Sequence, residues 1–184
     1  GHPGLIYNAK DAKNFDFVFF RPHWASRCFQ TGYTLNGVPK FDGGISSSCP
    51  GQSPPKGGQW FNASVEVSNK DAKILLAGKL VREVTPHYPA RGQGGVLVAN
   101  GFKNIVYFKN FQIIPSAQDY SVSSCVVATS LMSGNVFVLD ANHGTWPASG
   151  FCSAIKNQVL HNTNHYTISA QLFNKIGWKG EDSG

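Results

Sequence analysis

The sequence is poor in charged residues, because Asp, Glu, Lys and Arg together make up only 14% of its 184 residues. So small a charged fraction argues against a coiled coil and against a highly charged disordered chain. Long apolar runs are also missing, and no stretch approaches the roughly 20 residues that a membrane helix needs. We therefore expect a globular protein without a membrane span.

The sequence also lacks the motifs of several common catalytic sites. A G-x-S-x-G nucleophile elbow does not occur, and no Gly-rich phosphate loop precedes a helical segment. None of the ten acidic residues stands in an E-x-D-x-x-E pattern, which would place the two carboxylates that a glycosidase requires on one strand. A Ser-His-Asp triad assembled from distant residues stays open, but the absent motifs predict that the protein is not an enzyme.

Cysteine patterns typical of zinc sites are absent too. The four cysteines, Cys28, Cys49, Cys125 and Cys152, form neither a C-x-x-C motif nor a Cys/His zinc spacing. An even number of cysteines in Ser- and Gly-rich surroundings favours two disulfides in a secreted protein. Of the three possible pairings, we expect the most local one, Cys28–Cys49 with Cys125–Cys152. Four free thiols are the alternative.

The chain does contain many turn residues and short apolar runs. Gly and Pro account for 20 and 10 residues, and the stretch from Trp60 to Ile114 holds four apolar runs separated by turns. The first run, Phe61 to Ser68, alternates apolar and polar residues, which is typical of a strand with one buried and one solvated face. Asn36-Gly37 is a strong hairpin signal. The sequence therefore predicts an all-β domain in which residues 60–114 form a strand meander.

The polar face of the run from Phe61 to Ser68 carries the one N-glycosylation sequon of the sequence, Asn62-Ala63-Ser64. A glycan requires an asparagine side chain that is directed to solvent. Because Asn62 falls on the solvated face of the predicted strand, we expect it to be glycosylated in a secreted protein.

Several segments between residues 4 and 114 follow one another in a recognisable order: KDAKNFDFVFF, CFQTGYTLNG, WFNASVEV, AKILLAGKLVREV and GGVLVANGFKNIVYFKNFQI. In this order they resemble the strands of a concanavalin-like (laminin-G-like) jelly roll. The form that they are most similar to is the lectin-like domain appended to some glycoside hydrolases, galactosylceramidase among them. The resemblance implies a jelly-roll β-sandwich of two antiparallel sheets.

The opening strands of that family do not precede residue 4, and segments similar to them follow residue 124. These segments are NVFVLDANHGTW and HYTISAQLF within residues 125–184, whereas residues 115–124 read as a polar connector. The resemblance therefore implies a single domain over residues 1–184 with circularly permuted chain order. Its carboxy-terminal strands either close the sheets of their own chain or complete a neighbouring copy by strand swapping. An ordinary unpermuted sandwich is the alternative.

Two loops combine aromatic and basic residues and are candidate ligand-binding sites. The first loop contributes Arg21, His23, Trp24 and Arg27, and the second contributes Tyr88 and Arg91. An aromatic ring can pack on the C–H groups of a sugar, and a guanidinium group binds a carboxylate or sulfate through two hydrogen bonds. We expect sugar binding at these loops; the alternative is that Trp24 packs within the domain and the arginines are only solvated.

The resemblance also implies a possible calcium site, because laminin-G-like domains commonly bind calcium through Asp and backbone oxygens. The candidate ligands are Asp11, Asn14, Asp16 and Asp140. Their spacing does not single out any one of them, so calcium rests on the resemblance alone.

The net charge of +6 is dispersed along the sequence. A dispersed positive charge attracts polyanions without reading a sequence, and sulfated or uronate-bearing glycans are the polyanions expected outside the cell; simple solubility is the alternative. Nucleic acid is not an expected partner of a secreted, disulfide-bonded domain.

These features together predict a secreted carbohydrate-binding or cell-adhesion module. Its expected partners are extracellular glycans or glycoproteins, and other copies of itself. A self-assembling matrix protein that binds no sugar is the first alternative, and a carbohydrate-active enzyme is the second.

Overall fold

A computed structural model describes residues 1–21, 28–42, 49, 55–90, 93–99, 105–113, 120–122, 136–140, 151–156 and 166–174. Within these ranges every regular element is a β-strand, and the strands form two antiparallel sheets. The predicted all-β sandwich is therefore confirmed. None of the described residues belongs to a helix that could cross a membrane.

The strands, in chain order, are β1 (His2–Asp11), β2 (Asn14–Phe20), β3 (Phe29–Leu35), β4 (Val38–Phe41), β5 (Phe61–Val67), β6 (Ala72–Leu76), β7 (Lys79–Val84), β8 (Gly94–Ala99), β9 (Ile105–Ile113), β10 (Tyr120–Val122), β11 (Val136–Asp140), β12 (Phe151–Lys156) and β13 (Tyr166–Asn174). Seven of them form one sheet in the order β10-β12-β8-β1-β2-β3-β4. The other six form a second sheet in the order β11-β9-β13-β5-β6-β7.

The main core lies between the two sheets. Alternation along each strand sends every second side chain into this layer, where apolar residues of both sheets join one buried cluster. Examples from the seven-stranded sheet are Leu5, Phe20 and Val96, and examples from the six-stranded sheet are Val65, Phe108 and Ile168.

The seven-stranded sheet is buried on its outer face as well. Phe15, Phe17 and Phe19 of β2 form a second apolar cluster with Ile6 and Leu97, and all of them are at most 2% exposed. β2 is therefore buried on both faces, as its dense aromatic sequence predicts for a central strand.

The predicted meander of four strands is wrong in its second half. β5, β6 and β7 pair consecutively, but the next strand, β8, belongs to the opposite sheet. All six residues of β8 are buried, so this strand needs partners on both sides, which it finds in β1 and β12. β9 then returns to the six-stranded sheet between β11 and β13.

The carboxy-terminal strands pair with strands of the amino-terminal two thirds of the same chain. β13 lies between β5 and β9, β11 extends the same sheet beyond β9, and β12 pairs with β8. The predicted connector 115–124 is wrong for residues 120–122, because these form β10 and pair with β12. Residues 1–114 and 125–184 thus contribute to common sheets, while the permuted family order stays a prediction.

One predicted disulfide is confirmed. Cys28 precedes β3, and its Cα atom lies 5.3 Å from that of Cys49, to which it is bonded. Both residues are buried against the main core. Cys125 and the side chain of Cys152 lie outside the described residues, so the second pairing stays a prediction.

Candidate functional site

Three neighbouring strands expose a row of aromatic side chains on the outer face of the six-stranded sheet. Trp60 immediately precedes β5, Phe173 is the last but one residue of β13, and Tyr107 lies opposite Phe173 on β9. The centroids of the Trp60 and Phe173 rings are 5.2 Å apart, and those of Phe173 and Tyr107 are 5.7 Å apart. Such spacings are those of contacting aromatic pairs. We call Trp60, Phe173 and Tyr107 the aromatic row.

A row of polar side chains runs beside the aromatic row on the same three strands. Gln171 of β13 is the register partner of Asn62 on β5 and of Lys109 on β9. Asn110 extends this row, since its Nδ2 atom donates a hydrogen bond to Oε1 of Gln171 at 3.2 Å. We call Asn62, Gln171 and Lys109 the polar row, and both rows together the outer patch.

Simple alternation, with one bulge, builds the outer patch. Ala63, Val65, Ile168 and Leu172 are buried, so their neighbours in sequence point outward. On β9 the positive φ of Asn110, 53°, marks an extra residue at the point where the register with β13 shifts between Ser169 and Gln171. The bulge leaves Lys109 aligned with Gln171, at the polar row.

Trp60 is the most accessible aromatic member of the outer patch. Its residue surface is 39% exposed, even with Phe173 and Lys109 in contact. The Lys109 ammonium nitrogen lies 4.3 Å from the centroid of the Trp60 ring, which is a cation–π distance. The patch thus offers an apolar surface, amide groups and a positive charge within a few residues of one another.

A second polar cluster closes one end of the sandwich, between the sheets. The side chain of Asp16 is 1% exposed and accepts hydrogen bonds from the backbone N–H groups of His87 and Tyr88 and from Nδ2 of Asn8. Burial raises the pKa of the Asp16 carboxyl above its ordinary value, although these hydrogen bonds oppose the shift. Asn8 in turn contacts the hydroxyl of Tyr166 from the opposite sheet.

His87 is held by this cluster from two sides. Its Nδ1 atom lies 3.2 Å from Oδ1 of Asp16, its Nε2 atom lies 3.3 Å from Oδ1 of Asp42, and its ring stacks on Tyr33 at 3.9 Å. An Asp–His pair can serve catalysis when it activates a nucleophile. Here the ring contacts Asp16 and Tyr33 and so joins the loop after β7 to the seven-stranded sheet.

Two predicted ligand-binding residues lie among the described ones, and both have partners inside the domain. Arg21 is 8% exposed, its guanidinium lies 5.2 Å from the Phe19 ring centroid, and its Nη2 atom faces Oε1 of Gln30 at 3.5 Å. The Tyr88 hydroxyl donates to the carbonyl oxygen of Thr34 at 2.5 Å. The other predicted loop residues, His23, Trp24, Arg27 and Arg91, lie outside the described residues. The sugar-binding role of these six residues therefore stays a prediction.

The predicted metal ligands do not gather into a site among the described residues, which contain no group of three or more His, Cys, Asp or Glu side chains able to hold a metal ion. The Asp11 carboxylate accepts hydrogen bonds from the Lys13 backbone and from Asn14 within its own turn. Asp16 is occupied by the donors described above. The side chain of Asp140, on β11, lies outside the described residues.

A depression of about 560 Å³ at the turn between β5 and β6 is less suited to a sugar than the outer patch. It is lined by residues 66–71 and 73, among them Glu66, Lys70, Asp71 and Lys73. None of these lining residues is aromatic, so the depression has no ring on which a sugar could pack.

Sequence reasoning missed Trp60, Tyr107, Lys109, Gln171 and Phe173. The signal for them is an aromatic or long polar residue at a solvated position of an alternating strand, as in W-F-N before Ala63 and Q-L-F at the end of β13. These residues can be recognised as one site only when β13 is known to lie between β5 and β9, because that pairing brings them together. Asn62 is exposed as predicted, although its glycosylation stays a prediction. No protein-family model matches the chain.

Proposed function

We propose that this protein is a secreted carbohydrate-binding module that acts through the outer patch rather than through catalysis. The observation that carries the proposal is the half-exposed Trp60 ring, set in a row with Phe173 and Tyr107 and beside the polar row. Sugars pack their C–H faces on such rings, while neighbouring amide groups hydrogen-bond to their hydroxyls. The buried Cys28–Cys49 disulfide supports an extracellular location.

The charge of the patch favours acidic sugars. The Lys109 ammonium group lies over the Trp60 ring, where a bound sugar would meet both. Ammonium groups bind carboxylate and sulfate oxygens through charge-assisted hydrogen bonds, and the net charge of +6 adds a long-range attraction. We therefore propose uronate-bearing or sulfated glycans as the ligand class.

A glycan array at two salt concentrations, followed by titration calorimetry on the best ligand, tests this proposal. Trp60→Ala should weaken binding at least about tenfold, which corresponds to about 1.4 kcal/mol. Lys109→Met keeps the aliphatic stem but removes the charge, so it should weaken both the preference for acidic over neutral glycans and the salt dependence of binding.

Leu80→Ala is the matched control, because Leu80 is 51% exposed on β7 at the far edge of the same sheet. This variant should bind like the wild type. Binding that survives Trp60→Ala unchanged would move the site away from the outer patch, and the absence of binding to any glycan would refute the proposal.

Self-assembly is the second candidate function, and one observation favours it. β4 forms the edge of the seven-stranded sheet and exposes Val38 to 54% and Phe41 to 52%, with Leu35 of β3 beside them at 48%. An apolar edge strand can pair with another chain. Light scattering that shows concentration-dependent oligomers, abolished by Val38→Lys but not by Leu80→Ala, would support assembly; a monomer at all concentrations would contradict it.

A further inference from the structure

The predicted glycosylation site lies inside the outer patch. Asn62 is exposed, has Gln171 as its register partner, and follows Trp60 by two residues. Residues two apart on a strand are separated by about 7 Å, and directly opposed residues by about 5 Å. A sugar attached to Asn62 therefore begins within reach of both Trp60 and Gln171.

We infer that an N-linked glycan on Asn62 packs on Trp60 and covers the outer patch, so that occupancy of the sequon decides whether the patch can bind other glycans. The inference deepens the proposed function and rests on it, because it assigns a regulation to the same sugar-binding surface.

The chemistry of the patch fits the first sugar of such a glycan. N-acetylglucosamine has an apolar C–H face and a polar acetamide group. The exposed part of Trp60 offers a surface for the first, and the amides of Gln171 and Asn110, already joined by one hydrogen bond, offer donors and acceptors for the second.

Because the glycan is covalently attached to Asn62, it occupies the outer patch even if its contact with Trp60 is weak. A tethered ligand meets its site at an effective concentration in the millimolar range. A free glycan of similar intrinsic affinity would have to exceed that concentration to displace it. The tethered sugar would also lie over Trp60, where the Lys109 ammonium is found, and would shield that charge from acidic ligands.

The test compares the wild type with Ser64→Ala, which destroys the sequon but keeps all six residues of the outer patch, Asn62 among them. Both proteins are produced in a secretory eukaryotic host, and mass spectrometry establishes whether Asn62 carries a glycan. An endoglycosidase then trims the glycan to a single N-acetylglucosamine. Both proteins are also produced in a host without N-glycosylation, which measures the effect of the Ser64→Ala substitution by itself.

Packing is read from thermal stability. The single N-acetylglucosamine should raise Tm by about 2–4 °C, the shift expected for a modest new contact in a domain of this size. Trp60→Ala should abolish this rise. An unoccupied sequon, an absent rise, or a rise that persists in the Trp60→Ala background would overturn the inference.

The affinity for a heparin-derived oligosaccharide, used as the acidic probe, tests whether the Asn62 glycan controls binding at the outer patch. Ser64→Ala should bind the probe at least about tenfold more tightly than the fully glycosylated wild type. Equal affinity of the two forms would overturn the regulation. If Ser64→Ala binds neither this probe nor any glycan of an array, the proposed function fails, whereas a Trp60-dependent rise in Tm would still establish the packing of the Asn62 glycan.

Discussion

The imidazole of His87 lies with its Nδ1 atom 3.2 Å from the carboxylate of Asp16, a residue 71 positions earlier in the chain. Asp16 belongs to β2 of the seven-stranded sheet, whereas His87 belongs to the loop that leaves β7 of the six-stranded sheet. The contact therefore joins the two sheets at the point where the chain passes from one to the other. Two backbone N–H groups of the same loop also donate to Asp16.

Asp16→Asn should destabilise the protein by about 1–3 kcal/mol at neutral pH, because an amide cannot accept hydrogen bonds at both of its heavy atoms and leaves a buried donor without a partner. Urea unfolding measures this loss. The loop at residues 85–90 should also open more often, which would be seen as faster amide hydrogen exchange of that segment. An unchanged unfolding midpoint would contradict the role given to Asp16.

The same variant should change the pH dependence of stability. Burial raises the folded-state pKa of Asp16 above its ordinary value of 3.8, so the folded protein keeps a proton that the unfolded chain has already lost. The contribution of Asp16 to stability is thus complete below pH 3.8 and decreases as the pH rises through the folded-state pKa. The stability difference between wild type and Asp16→Asn should shrink over this range. A difference that grows with pH would contradict the prediction.

His2 should make the folded protein less stable in acid, which is the opposite of the effect of Asp16. Burial, with smaller contributions from the amino terminus and Arg21, lowers the pKa of His2 from 6.5 to about 3, and its ring stacks on Phe19. Between these values the unfolded chain binds a proton that the folded protein excludes, so stability decreases as the pH falls from 6.5 to 3. His2→Gln should remove this part of the decrease, measured as Tm against pH. An identical acid dependence in the variant would contradict the prediction.

Gly94→Ala should destabilise the sandwich because there is no room for a side chain. A Cβ atom at this position would lie 2.0 Å from Cδ1 of Ile168 and 2.5 Å from the backbone oxygen of Ile6. The resulting overpacking should cost about 1–3 kcal/mol in the free energy of unfolding. Ile168→Val removes the Cδ1 atom, so the double variant should lose less than the sum of the two single losses.

Gly58→Ala is the matched control for Gly94→Ala. No atom lies within 4 Å of its Cβ position, and its only penalty is the positive φ of 74°, which costs about 1–2 kcal/mol. The loss in the free energy of unfolding caused by Gly58→Ala should be additive with the loss caused by Ile168→Val. Additive behaviour of the Gly94→Ala and Ile168→Val pair would refute the proposed contact.

Removal of the Cys28–Cys49 disulfide should destabilise the protein by about 3 kcal/mol, because the bridge closes a loop with a sequence separation of 21 residues. The double variant Cys28→Ala/Cys49→Ala, unfolded in urea without reductant, measures this loss. After denaturation, Cys28→Ala alone should expose one more thiol to a thiol reagent than the wild type does, namely that of Cys49. An unchanged midpoint in the double variant would contradict the stabilising role.

Local structure could be predicted from the sequence wherever a short pattern decides it. The alternation of Phe61 to Val67 defines β5. Asn36-Gly37 forms the hairpin turn between β3 and β4, with positive φ at both residues. Pairing between distant strands could not be predicted, because the pattern of β13 states which side chains are buried but not which strands are its neighbours. The outer patch depends on that pairing, so its members were missed although each lies at a solvated position. Arg21 shows the converse, since its basic side chain suggested an exposed ligand site while the structure buries it against Phe19.

The position of β13 between β5 and β9 also has a consequence for how the chain folds. Tyr166 pairs with Val67, and Leu172 pairs with Phe61, so these contacts join residues that are about a hundred positions apart. Such non-local pairing predicts slow folding, in milliseconds to seconds rather than microseconds. During synthesis on the ribosome, β5 and β9 each keep one edge unpaired until β13 emerges. The six-stranded sheet, and with it the surface that carries Trp60, Phe173 and Tyr107, is therefore among the last parts of the molecule to form, and a chain that stops before Tyr166 has no such surface.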